Sequence, residues 1–307
     1  MHQVYNAVFE PGFFASAQVH TAVTLGGLVA VVCGITGVFT VMRGQSFAGH
    51  ALGDVSAAGG SGALLAGLSP VAGFVGLGVI GAGVMDMIGV QRVRNRDLAT
   101  GIVLGAAIGL SALFLYLTSV TGATTGAVQQ VLFGSIFTTP SGTIPVVAFL
   151  GAIALTSLAV ICRPLLLATV SPDIAVARGV PVRLIGVLYM LALAVSVGLS
   201  SVATGAILST ALLIGPAAAA LRLTRRVGRA LGLACLLGVL STWLGVLLAY
   251  DSYYWGSSHD GLPVSFFIVA VIFITYLVSG MPALRAGGRT GQPVAPAAAA
   301  ERDKVAA

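Results

Sequence analysis

Apolar residues along this chain come in blocks long enough to cross a lipid bilayer, at roughly 19–42, 70–90, 98–120, 143–162, 184–201, 230–250 and 263–283. A helical crossing takes about 20 such residues. Two further runs, 45–68 and 204–222, carry more Gly, Ser and Thr and read either as full spans or as helices broken within the membrane. The pattern predicts an all-α polytopic membrane protein with eight or nine transmembrane helices.

The position of positive charge tests that count, because cytoplasmic loops hold the Lys and Arg of a membrane protein. Arg43 follows the first run, and Arg92, Arg94 and Arg96 follow 70–90. Arg163, Arg178 and Arg183 surround the 163–183 loop, Arg222, Arg225, Arg226 and Arg229 precede the 230–250 run, and Arg285, Arg289, Arg302 and Lys304 lie in the tail. Segments 1–18, 121–128 and "DSYYWGSSHDG" have neither residue. Nine crossings with the N-terminus outside and the C-terminus inside put every basic residue on the cytoplasmic side, although a re-entrant "VLFGSIF" changes the count. The reading takes residues 1–285 as the membrane domain and 286–307, rich in Pro, Ala and charge, as a disordered cytoplasmic tail.

Composition agrees: 57% of the 307 residues are hydrophobic and 8% charged, where a soluble domain has about a quarter charged. The net charge of +6 is explained by membrane orientation and gives no reason to expect nucleic acid. Cys33, Cys162 and Cys235 fall far apart in apolar runs, as small packing residues do. The opening "MHQVYNAVFEPGFF" lacks the basic segment of a cleavable signal peptide, so insertion is expected to use the first span.

A phosphate-binding loop needs a lysine after its glycines, and the one lysine is Lys304 in the tail. No HExxH or GxSxG element supports a membrane hydrolase, so the chain is not expected to be an enzyme. A carrier driven by an ion gradient keeps acidic relays within its spans. Here only Asp54 and Asp86 fall at membrane depth, and Asp86 is close to Arg92 and reads as its surface partner. The remaining reading is a permease driven by a separate ATPase, which requires a cytoplasmic docking element. "RPLLLATVSPDIAVARGVPVR" supplies one: Ser171 as N-cap, Pro172 in the first turn, Asp173 at the helix start, and Gly179 with Pro181 ending the helix. An ordinary connector helix has the same signature.

Several stretches resemble the ABC-type permeases for divalent metal ions. "VMRGQSFAGHALGDVSAAGG" is similar to that family's Arg, Phe-x-Gly-Asp-Ala-x-Ser-His and closing Gly. "SPDIAVARGVPV" resembles its Asp-x-x-x-Ala-x-x-x-Gly cytoplasmic segment, with Asp173, Ala177 and Gly179. "VATGAILSTALLIGPAAAALRL" resembles its Val-Gly to Pro-Ala run, "VLFGSIF" its Leu-Phe-Gly element, and "DGLPVSFFIV" more weakly its Asp-x-Pro-x-Gly segment. The resemblance implies a type II ABC importer-like permease bundle. It also implies an ABC ATPase, an extracytoplasmic metal-binding protein and a second permease copy as partners, with zinc, manganese or iron as cargo and no bound cofactor. One departure stands out: the family has aspartate first and histidine four residues on, whereas here His50 precedes Asp54.

Positions 50 and 54 are one helical turn apart and share a face. Imidazole nitrogen with carboxylate oxygen suits Zn, Mn or Fe better than Cu(I), and two ligands make the weak site that a conduit needs. The alternative is that the pair hydrogen-bonds to itself or its neighbours and fixes packing. His259 and Asp260 in the external loop read as an ion-entry point or as solvated loop residues, and His20 as interfacial. Gly205, Gly215 and Pro216 punctuate the 204–222 run as a gate or a structural bend. Competing functions are a permease for a metal chelate such as a siderophore or haem, and an ion-coupled carrier that works alone.

Overall fold

The structure, a computed structural model, describes residues 16–88, 96–122, 126–134, 136–252 and 262–287. Among them the chain forms α1 (Ala17–Met42), α2 (Ser46–Leu65), α3 (Pro70–Ile88), α4 (Arg96–Thr121), α5 (Ala127–Phe133), α6 (Thr143–Val170), α7 (Pro172–Ala177), α8 (Val182–Thr204), α9 (Ala206–Leu223), α10 (Val227–Ser252) and α11 (Val264–Gly287). All nine expected runs are helices, as a bilayer demands of segments that must satisfy their own backbone groups. Eight combine the length and apolarity of a membrane span, and α2 alone among the nine is less apolar.

α2 tolerates its polar residues because protein surrounds it. It packs on α3, α4, α8 and α9. Its glycines make that possible: a Cβ at Gly59 would collide with the Gly73 carbonyl of α3, and one at Gly53 would sit 3.1 Å from Ser209 Oγ of α9. Small residues at such crossings let backbones approach where lipid supplies no hydrophobic drive. α4, by contrast, turns Leu98, Ile102, Ile108, Leu113 and Tyr116 outward.

The centre of the bundle is α1 against α8. Leu25, Val29 and Cys33 pack in one core with Leu193, Val197 and Leu199. Across it Thr36 Oγ1 and Ser196 Oγ share a hydrogen bond of 2.8 Å, so the polar atoms of both helices are matched within lipid-free space.

Contacts between distant segments sort the helix ends into two layers. At one end Arg43 donates to Thr169 Oγ1 at the close of α6, and Val38 of α1 packs with Ala217, Ala220, Ala230 and Ala234 from α9 and α10. At the other end Ser265 Oγ donates to the Phe133 carbonyl at 2.8 Å, and Leu262 N donates to Ser252 Oγ at 3.1 Å. The first layer holds Arg43, the 171–183 connection and the arginines of 222–229, which is the grouping the charge pattern predicts.

Three boundaries differ from the sequence reading. α6 does not stop near 162 but passes through Arg163 and Pro164 to Val170, which carries it as far as α7. The 204–222 run divides at Gly205, where φ is 80° and α8 gives way to α9. There a Cβ at Gly205 would collide with the Leu132 carbonyl, and one at Gly134 would lie 2.6 Å from the Ala203 carbonyl, so α5 ends in backbone contact with the α8–α9 junction. Of the re-entrant candidate "VLFGSIF", Val131–Phe133 close the short α5 and Gly134 leaves the helix at φ 82°. Of the expected tail, residues 288–307 lie outside the described residues.

Candidate functional site

His50 and Asp54 stand on the one stripe of α2 near its start that its neighbours leave open, together with Phe47. His50 Nε2 and Asp54 Oδ2 are 3.8 Å apart, and the side chains are 44% and 17% exposed. That separation is too long for a hydrogen bond. Asp54 Oδ2 is buried and has no hydrogen-bond partner among the described residues. A buried carboxylate oxygen left in this state is costly, and a cation is the partner that offsets the cost most directly.

The imidazole is anchored on its other side. His50 Nδ1 lies 3.0 Å from Thr210 Oγ1 on α9. When Nδ1 donates to that hydroxyl, Nε2 keeps its lone pair and presents it to the space shared with Asp54, the tautomer of a metal-binding histidine. Metal bonds to imidazole nitrogen and carboxylate oxygen run about 2.0–2.2 Å, so the two donors fall within reach of one ion. Among the described residues no three His, Cys, Asp or Glu side chains come together, so the described chain brings two such donors to this place.

Sequence reasoning missed Thr210. Of the adjacent hydroxyls Ser209 and Thr210 in a mostly apolar helix, neither has a pattern that marks it out, and the partner of Thr210 is 160 residues away. What brings them together is the close α2–α9 crossing, where a Cβ at Gly49 would stand 3.0 Å from Leu213 Cδ2. Around the pair, Phe47 is 43% exposed and Ile207 of α9 is 50% exposed, giving the polar site an apolar rim.

The other singled-out residues are dispersed. Ser171 precedes α7 and accepts from Ala175 N through its carbonyl, but its side chain makes no capping bond. Gly179, at φ 73°, ends the helix, with Gly179 N donating to the Val176 carbonyl and Val180 N to the Ala175 carbonyl. Ala175 is the buried root of α7, whereas Pro172, Asp173, Ile174, Val176 and Ala177 are exposed. Gly215 faces Ile272 of α11, and Pro216 is buried within an unbroken α9 beside Gly238 of α10. His20 is exposed near the start of α1. His259, Asp260 and the Arg92 expected beside Asp86 lie outside the described residues.

Comparison with known proteins places this architecture. Residues 16–281 match the ABC 3 transport family. The manganese transport system membrane protein MntC of Halalkalibacterium halodurans is 33% identical over 233 residues, covering 75% of this chain and 78% of the relative. The chelated iron transport system membrane protein YfeC of Yersinia pestis is 27% identical, covering 80% of this chain and 81% of its own length. Among solved structures, PsaBC from Streptococcus pneumoniae in complex with Fab superposes with a TM-score of 0.75 at 23% identity, over 91% of this chain and 95% of that one, a likeness of fold. With nearly its whole described length matched and its bundle shared, the chain belongs to the ABC 3 transport family.

Proposed function

We propose that this chain is the membrane permease of an ATP-driven importer of divalent metal ions, with manganese and iron ahead of zinc as cargo, and that His50 and Asp54 stand on the ion path. The observation that carries the reading is the buried Asp54 oxygen, without a hydrogen-bond partner among the described residues, facing an anchored imidazole across 3.8 Å. The name of the first relative supports manganese as cargo, and that of the second supports iron while also favouring the chelate alternative.

A weak two-donor site suits passage, since capture by a complete ligand set opposes release. A second copy of the chain, meeting this one along the open face of α2 and α9, brings the donors to four. In this reading the arginine-bearing end faces the cytoplasm, the N-terminus lies outside and the C-terminus inside. Residues 171–180 meet the ATPase there: Ile174 is 49% and Val176 64% exposed on a helix far too short to cross lipid, which suits insertion into a partner's groove. An extracytoplasmic binding protein delivers the ion at the opposite end, where His259 and Asp260 belong to the proposed entrance. ATP binding and hydrolysis then exchange which end is open.

The chelate alternative is less well matched, because two donors aimed into one small gap suit a bare ion better than a bulky complex. Reconstitution tests the proposal. Manganese uptake into proteoliposomes is expected to require the ATPase subunit and ATP, and His50→Ala and Asp54→Ala each abolish it while membrane insertion and ATPase association persist. Uptake driven by a proton gradient without the ATPase replaces this reading with an ion-coupled carrier, and unchanged uptake in both variants returns the pair to a packing role.

A further inference from the structure

Arg43, the C-cap of α1, gathers four elements at the end of the bundle where α7 projects. Its Nη1 donates to Thr169 Oγ1 at 3.2 Å, in the last turn of α6. Its Nε donates to Gln45 Oε1 at 3.3 Å, on the residue that precedes α2. Its guanidinium carbon lies 5.0 Å from the centre of the Tyr189 ring on α8, within cation–π range. Each of these partners is itself fixed. Thr169 Oγ1 donates to the Leu165 carbonyl at 2.6 Å, and Tyr189, fully buried, donates from its hydroxyl to Thr40 Oγ1 at 2.9 Å. Gln45 is 3% exposed, and its carbonyl accepts from Gly49 N at 3.0 Å, one residue before His50.

The placement matters because α7 has two roots. One is the end of α6, where Thr169 is two residues from Ser171; the other is the start of α8, where Tyr189 sits in the second turn. Arg43 touches both, and through Gln45 it holds the entrance of the helix that bears His50 and Asp54. The tether to that helix is short, since only residues 43–45 separate α1 from α2, with Gly44 at φ 62° making the turn. A planar guanidinium can serve two acceptors at its edge while stacking by its face; a lysine ammonium offers neither the fork nor the plane.

We infer that Arg43 is the positioning residue that makes α2 follow α7, converting displacement of the ATPase-facing helix into displacement of the His50–Asp54 pair. The inference rests on the proposed roles of α7 and of that pair, and deepens them by naming the link inside the chain.

The test uses the assembled transporter, permease with ATPase and binding protein in proteoliposomes, with manganese uptake and ATP hydrolysis measured on the same sample and manganese binding measured without nucleotide. In Arg43→Gln the ratio of uptake to hydrolysis is expected to fall about tenfold, while hydrolysis and manganese binding stay within about twofold of the parent. Arg43→Lys is expected to restore less than half of the loss. Thr169→Val, which removes one hydrogen bond and alters little volume, lowers the ratio by about threefold and keeps the test available if Arg43→Gln does not assemble. An unchanged ratio in Arg43→Gln and Thr169→Val, whether the two rates hold or fall together, overturns the inference. A parent transporter without ATP-driven manganese uptake removes the functional reading and this inference with it, and shows itself before any variant is made.

Discussion

α2 and α4 lie side by side and are built on opposite principles. Thirteen of the twenty residues of α2 are buried, and it carries His50, Asp54, Ser56 and Ser61 among closely spaced glycines. α4 exposes large apolar side chains along most of its length and holds its one acid, Asp97, in its first turn at the bundle edge. At 20 and 26 residues both helices are long enough for one crossing, so reach does not separate them. What separates them is what each presents: α4 offers outward apolar side chains suited to lipid tails, whereas α2 packs on other helices and leaves one stripe open. In this protein polar chemistry is placed where backbone packing has already excluded lipid.

Moving a charge across that divide is the harshest test. Ile108→Asp, on the exposed side of α4, is expected to cost about 2.5–3.5 kcal/mol of insertion free energy, the penalty for a carboxylate at a helix centre. Quantifying membrane-integrated against unintegrated protein checks it; unimpaired integration means that this face of α4 does not meet lipid. Next in size is the close approach that shields α2. Gly59→Val forces its new methyls against the Gly73 carbonyl, and overpacking of this kind costs about 1–3 kcal/mol, read as a lowered thermal transition of the purified permease in detergent. A transition no lower than the parent's shows that α2 and α3 can separate freely at this crossing.

The smallest effect sharpens the comparison at the site itself. Thr210→Val removes the hydroxyl that anchors His50 Nδ1 and is expected to lower manganese uptake about threefold to tenfold, the loss of one hydrogen bond that aligns a ligand. Thr210→Ser retains the hydroxyl and stays near the parent. Loss in Thr210→Ser with none in Thr210→Val assigns the role to the Thr210 methyl and its packing, and sinks the anchoring role.

Much of the architecture was legible because lipid imposes a blunt rule: a crossing must be apolar, long and helical, and the loops between carry charge on one side. The same rule explains the misjudged end of α6. Arg163 and Pro164 read as the edge of a span, yet the apolar run resumes at once in Leu165, Leu166 and Leu167, Leu165 is buried in the core, and α6 keeps turning to Val170. The His50–Asp54 pair was legible as two polar residues one turn apart within an apolar run. Thr210 and the contacts of Arg43 with Thr169 and Tyr189 were not, since each joins segments more than a hundred residues apart, and neither a threonine nor an arginine has a local periodicity to betray such a partner. In the sequence Arg43 marked the expected cytoplasmic side and the start of the resembling motif, and none of its distant partners.

The seam between Gly134 and Gly205 joins main chain to main chain, with no side chain of either residue in between. Such a junction has no rotamers to swing and no small adjustable wedge. Parting it demands that α5 or the α8–α9 elbow shift as a whole, since no change of rotamer separates two backbones.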